Sequence, residues 1–132
     1  MNPEVRVEQE KVQRGDKPDR WRIAWLVENL GAAPLKILAA RAPHGKFLCD
    51  EKEFTPPVDL AANQRGRIEL EVRCGKAEDA EIENAFLILR VLYAGGRWLI
   101  LARLRVYVNG EGKPATKTES ITTQPVGFSS KL

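Results

Sequence analysis

The chain has 132 residues, 43% of them hydrophobic and 30% charged, with a formal net charge of +3 and a pI near 9.0. That length suits one domain, able to bury about two thirds of its unfolded surface without disulfide or metal staples, and the mild basicity favours anionic partners only slightly. No apolar run reaches the ~18 residues of a membrane span and the N-terminus has no signal-like apolar region, so the expectation is a soluble, cytoplasmic protein.

In chain order, Val5 and Val7 alternate with Glu4, Arg6 and Glu8, which suits an edge strand whose charges discourage unwanted pairing. Arg14-Gly-Asp-Lys-Pro-Asp19 is a turn by composition; it contains the tripeptide of integrin ligands, but Gly-Asp is ordinary turn chemistry. Residues 20 to 30 alternate, with Trp21, Ile23, Trp25 and Val27 on one face. Two tryptophans side by side are too large to leave exposed, so that face belongs in the core. Asn29-Leu-Gly-Ala-Ala-Pro34 breaks the strand, Leu35 to Arg41 forms the next, and Pro43-His-Gly-Lys46 is a turn.

Phe47-Leu-Cys49 and Glu53-Phe-Thr55 read as short strands, and Pro56-Pro57 excludes a central strand at that point. Residues 66 to 74 alternate, with Ile68, Leu70, Val72 and Cys74 inward and Arg67, Glu69, Glu71 and Arg73 outward. The acidic stretch to Glu83, with Glu78, Asp79 and Glu81, is a solvated loop lacking the ligand spacing of a calcium site.

Residues 84 to 108 read as a long hairpin closed by Gly95-Gly96, because a type I′ turn needs φ > 0 at both central positions. The second arm alternates strictly, with Trp98, Ile100, Ala102, Leu104, Val106 and Val108 on one face. A turn at the two glycines pairs Tyr93 with Trp98, Val91 with Ile100, Leu89 with Ala102, Leu87 with Leu104 and Ala85 with Val106, apolar on both sides throughout. The outer face mixes Phe86, Ile88, Leu92, Leu99 and Leu101 with Arg90, Arg97, Arg103 and Arg105, whereas a solvated face is mostly polar. Either arginine stems or the C-terminal tail cover the leucines, or this is a partner or self-association surface, since arginine and aromatics are favoured at interfaces.

Val27-Glu-Asn-Leu-Gly-Ala-Ala-Pro-Leu-Lys-Ile37 resembles the B-to-C crossing of bacterial immunoglobulin-like sandwich domains, and Leu60 to Val72 is similar to their approach to strand E, with Asn63-Gln64-Arg65-Gly66 at the bend. The resemblance spans roughly residues 20 to 108. It implies an immunoglobulin-like antiparallel β-sandwich of about seven strands and a module recruited by other proteins, with no catalytic residue; the tryptophan-plus-disulfide hallmark of antibody domains is absent. The expected organisation is a sandwich over residues 1–110 and a Ser/Thr/Lys-rich polar tail over 111–132, flexible or docked through Ile121, Val126 and Phe128. The chain ends Ser130-Lys131-Leu132, a peroxisomal address wherever its receptor exists.

The residues offer little chemistry. His44 is the single histidine and sits in a turn, Cys49 and Cys74 supply no zinc set, and no nucleophile–base pair can be assembled. Glu69 and Glu71 share a strand face about 7 Å apart, as a plain solvated face does. No catalytic, metal or cofactor residues are assigned. The expected function is a non-catalytic interaction module that binds another protein, or itself as a homodimer, through Phe86, Ile88, Arg90, Leu92, Arg97, Leu99, Leu101, Arg103 and Arg105. The alternatives are polyanion or nucleic-acid binding by the same arginines, for which the pI is marginal, and a small ligand held between the sheets.

Overall fold

A computed structural model of the chain describes residues 1–75 and 81–127. Among them there is no helix. Eight antiparallel strands, β1 (Val5–Arg14), β2 (Arg20–Asn29), β3 (Leu35–His44), β4 (Phe47–Leu60), β5 (Arg65–Cys74), β6 (Glu81–Tyr93), β7 (Gly96–Val108) and β8 (Pro114–Pro125), form one sheet in the order β1-β2-β5-β4-β3-β6-β7-β8. The sheet curls into a nearly closed barrel. Its narrowest point is the β4–β5 ladder, where the pairs are Phe47 with Cys74 and Leu48 with Arg73.

Alternation decides which side chains fill the barrel. Trp21, Ile23, Trp25, Val27, Ile68, Leu70, Val72 and Cys74 are all buried, as the period of two requires, and Val5 and Val7 close the core from edge strand β1. Trp25 meets Phe47 edge-on, their ring centroids 6.4 Å apart. Cys49 and Cys74 are both free thiols.

Three sequence expectations need correcting. The strands number eight, because residues 114–125, read by composition as part of a polar tail, pair along β7 from Val108–Pro114 to Trp98–Pro125. Thr, Ser and Ile alternate there well enough to cover one side of a strand, and the residues between them remain solvated. The hairpin turn is centred on Ala94 and Gly95, with φ of 50° and 78°, and not on Gly95 and Gly96. Tyr93 therefore faces Gly96, and Val91 faces Trp98. A side chain on Gly96 would sit 3.2 Å from the Trp98 indole nitrogen, so Gly96 serves to make room for that ring. The shift preserves which face each residue occupies, and all pairs on the inner face remain apolar up to a bulge between Ile82 and Ala85 that holds Asn84 at φ 58°. Finally, β4 runs through Pro56 and Pro57. They are tolerated because β4 pairs with β3 up to Val58 and again from Glu53, and the ladder skips the residues between.

The two edges of the sheet, β1 and β8, meet through side chains. The Gln9 side-chain oxygen accepts from the Thr116 amide at 2.8 Å and from its hydroxyl at 2.7 Å, while the Thr118 hydroxyl donates to the Val7 carbonyl at 2.8 Å. The Trp25 indole N–H donates to the Thr116 hydroxyl at 3.2 Å, tying the core to this seam. These bonds blunt two edges that would otherwise recruit further strands.

Candidate interaction surface

The outer face of β6 and β7 carries every sequence-predicted partner residue, and the ladders arrange them in rows. Phe86 pairs with Arg103, Ile88 with Leu101, Arg90 with Leu99, and Leu92 with Arg97. Strand β3 extends the rows on one side, setting Arg41 beside Ile88, Ala39 beside Arg90 and Lys36 beside Leu92. Strand β8 extends them on the other, with Gln124 beside Leu99, Thr122 beside Leu101 and Ser120 beside Arg103.

Most of the apolar surface in this face is covered. Ala39 and Ile88 are buried although they point away from the core, and Phe86, Leu99 and Leu101 are half-buried. An array of ion pairs runs alongside them. Arg90 reaches Glu51 at 3.5 Å and Glu53 at 4.0 Å. Arg105 bonds Glu119 at 2.9 Å and Glu83 at 2.7 Å, with Glu81 at 3.3 Å, and Arg103 stands 3.9 Å from Glu119. Glu119 is available to both arginines because β8 bulges there, between the Arg103–Ser120 and Leu104–Thr118 pairs. The hydrogen bonds that Arg105 donates to Glu119 and Glu83 raise its pKa above an already high value and lower that of Glu119.

Two large side chains of this face stay exposed, Tyr107 at 43% near the far end of β7 and Leu92 at 37% near the hairpin turn. Leu92 is the aliphatic one. It borders an apolar cleft of about 640 Å³ at the end of the barrel, walled by Pro34, Leu35, Leu60, Tyr93 and Ala94. The Tyr93 hydroxyl accepts the Ala33 amide at 3.3 Å, which fixes the ring that forms one wall. Arg97, across the ladder from Leu92, is exposed and, unlike Arg90, Arg103 and Arg105, has no ion-pair partner among the described residues.

Behind the cleft lies Asn29, a buried polar residue at the position where the sequence predicts a strand break. Its side-chain nitrogen donates to the carbonyls of Ala33 at 2.9 Å, Leu60 at 3.1 Å and Ala61 at 3.3 Å, and its oxygen accepts the Gly31 amide at 3.0 Å. It therefore fastens the β2–β3 loop to the β4–β5 turn, the two segments that frame the cleft. The signal was present: Asn29 continues the inward series Trp21, Ile23, Trp25, Val27.

The other residues singled out in the sequence have ordinary surroundings. The His44 ring nitrogen accepts the Lys46 amide at 3.0 Å within its turn. The Arg14 guanidinium lies over the Trp21 ring, 4.7 Å from its centre, so the integrin-type tripeptide is tied down at its first residue. Burial raises the thiol pKa of Cys74, and burial together with Asp50 raises that of Cys49, so neither has the depressed pKa of a reactive cysteine. No group of His, Cys, Asp and Glu among the described residues could hold a metal ion, and no helix there is long and apolar enough to cross a membrane. Glu78, Asp79, Phe128 and the Ser130-Lys131-Leu132 ending lie outside the described residues. No known protein family matches the chain, and no curated protein matches it by sequence.

Proposed function

We propose that the chain is a non-catalytic interaction module of the immunoglobulin-like class that docks another protein on the outer face of β6 and β7. The class is supported by strand order. Strands β1, β2 and β5 lie together as A, B and E do in such sandwiches, and β3, β6 and β7 as C, F and G do, with β4 continuing beside β3 and β8 added past the last strand.

The observation that carries the functional reading is the exposed Leu92 between an apolar cleft and Arg97, which has no ion pair among the described residues. Polyanion binding has less support, because the guanidiniums of Arg90, Arg103 and Arg105 already face carboxylates. Light scattering during gel filtration at micromolar concentration tests the choice of partner. Wild type and L92E are both expected to run as monomers, leaving the face to another protein. A wild-type dimer that L92E dissolves would show the face spent on self-association and overturn the proposal.

A further inference from the structure

We propose that the partner presents an acidic, apolar-anchored segment: one large apolar side chain that enters the cleft beside Leu92, flanked by carboxylates that pair with Lys36 and Arg97. This rests on the reading above and specifies its chemistry.

Direct cross-strand partners point to the same face of a sheet. Asp59 pairs with Lys36, Lys36 with Leu92 and Leu92 with Arg97, so four side chains form a transverse row across β4, β3, β6 and β7. All four are exposed. The most exposed leucine of the hairpin thus stands between two cations whose strands are two sheet spacings, about 10 Å, apart. An extended peptide that sets its apolar residue in the cleft beside Leu92 presents the residues two positions to either side on the same face, so carboxylates there come within reach of both long side chains.

Charge availability and exposure together separate this row from that of Ile88, where Arg41 also has no ion pair among the described residues but is half-buried. Arg97 has no carboxylate among the described residues, whereas Arg105 is bonded to Glu119 and Glu83. Lys36 stands 3.9 Å from Asp59, with side chains 48% and 74% exposed, so that contact exchanges readily for a partner's carboxylate. The cleft supplies apolar burial, and at about 640 Å³ it has ample room for a large apolar side chain together with part of the backbone that carries it. A basic segment would meet like charge at Lys36 and Arg97 and a carboxylate only at Asp59, so the row disfavours it.

The test is a ¹⁵N–¹H NMR titration of the full chain with three synthetic peptides at millimolar concentration. One carries leucine flanked by glutamates, the second has lysines in place of the glutamates, and the third keeps the glutamates but has alanine in place of the leucine. The glutamate–leucine peptide is expected to shift the amides of Leu92, Tyr93 and Arg97, with the other two about tenfold weaker or silent. R97E is expected to remove the response while leaving the remaining spectrum unchanged. Absence of shifts with the first peptide, or an equal response to the lysine peptide, overturns the proposal. So do shifts that depend on protein concentration without peptide, which would assign the cleft to a second copy. If the peptides fail while a crosslinker at position 92 still captures a protein, the chemistry assigned to the segment falls and the docking face stands.

Discussion

At the scale of single residues, the hairpin turn shows how a side chain is held against its own preference. Ala94 sits at φ 50°, a region that costs an L-residue with a Cβ about 1–2 kcal/mol. It is held there by the ladder that follows, in which Gly96 clears space for Trp98 and Tyr93 takes its place in the core. Ala94→Gly is therefore expected to stabilise the fold by about 0.5–1 kcal/mol, the relieved strain exceeding the added freedom of the unfolded chain. Denaturant unfolding measures it, and a loss of stability would mean that the left-handed conformation is not what limits this turn. Reading two glycines as the turn centre was sound chemistry, but turn propensity amounts to a fraction of what a long buried ladder contributes.

At the scale of strands, the outer face of β6 and β7 is a surface whose leucines are flanked by paired charges. Leu99→Glu together with Leu101→Glu is expected to lower stability by about 2–4 kcal/mol in total and to keep a cooperative β-sheet transition, since both residues are half-buried and lie outside the core. Circular dichroism through a thermal melt decides this, and complete unfolding would show that the face is core. The Glu119 array adds a pH dependence of definite sign. Because Arg105 depresses its pKa, Glu119 contributes stability above the ordinary glutamate range, and that contribution is lost as pH falls through the folded-state value. E119Q is expected to melt below wild type at neutral pH and to converge with it in acid; a difference that persisted in acid would assign the effect to packing. The alternating strands β2 and β5 and the second arm of the hairpin were legible because period two follows directly from the pleat. Strand β8 was not, since Thr, Ser and Lys carry the composition of a tail, and its order comes from β7 and from Gln9 on β1. The candidate face was also legible, as leucines and arginines where polar residues are expected. Its ion pairs were not, because Glu51, Glu53 and Glu119 arrive from strands whose positions no local pattern reveals.

For the whole molecule, the barrel presents two outer faces of different character. On β2 and β5 the outward side chains are mostly charged, with Ala24 and Leu26 between them, and Arg22 lies across from Glu71 and 3.9 Å from Glu69. On the hairpin side large apolar side chains are left exposed, Tyr107 at one end and, at the other, Leu92 beside Arg97 and the cleft. That asymmetry is the basis for assigning the hairpin side to a partner. The most direct test places a photo-crosslinking amino acid at position 92 in one variant and at position 22 in another, in the host cell. Position 92 is expected to yield a discrete adduct with one recurring protein, and position 22 none. Equal capture from both positions, or capture from position 22 alone, would contradict the assignment of the hairpin face as the docking surface.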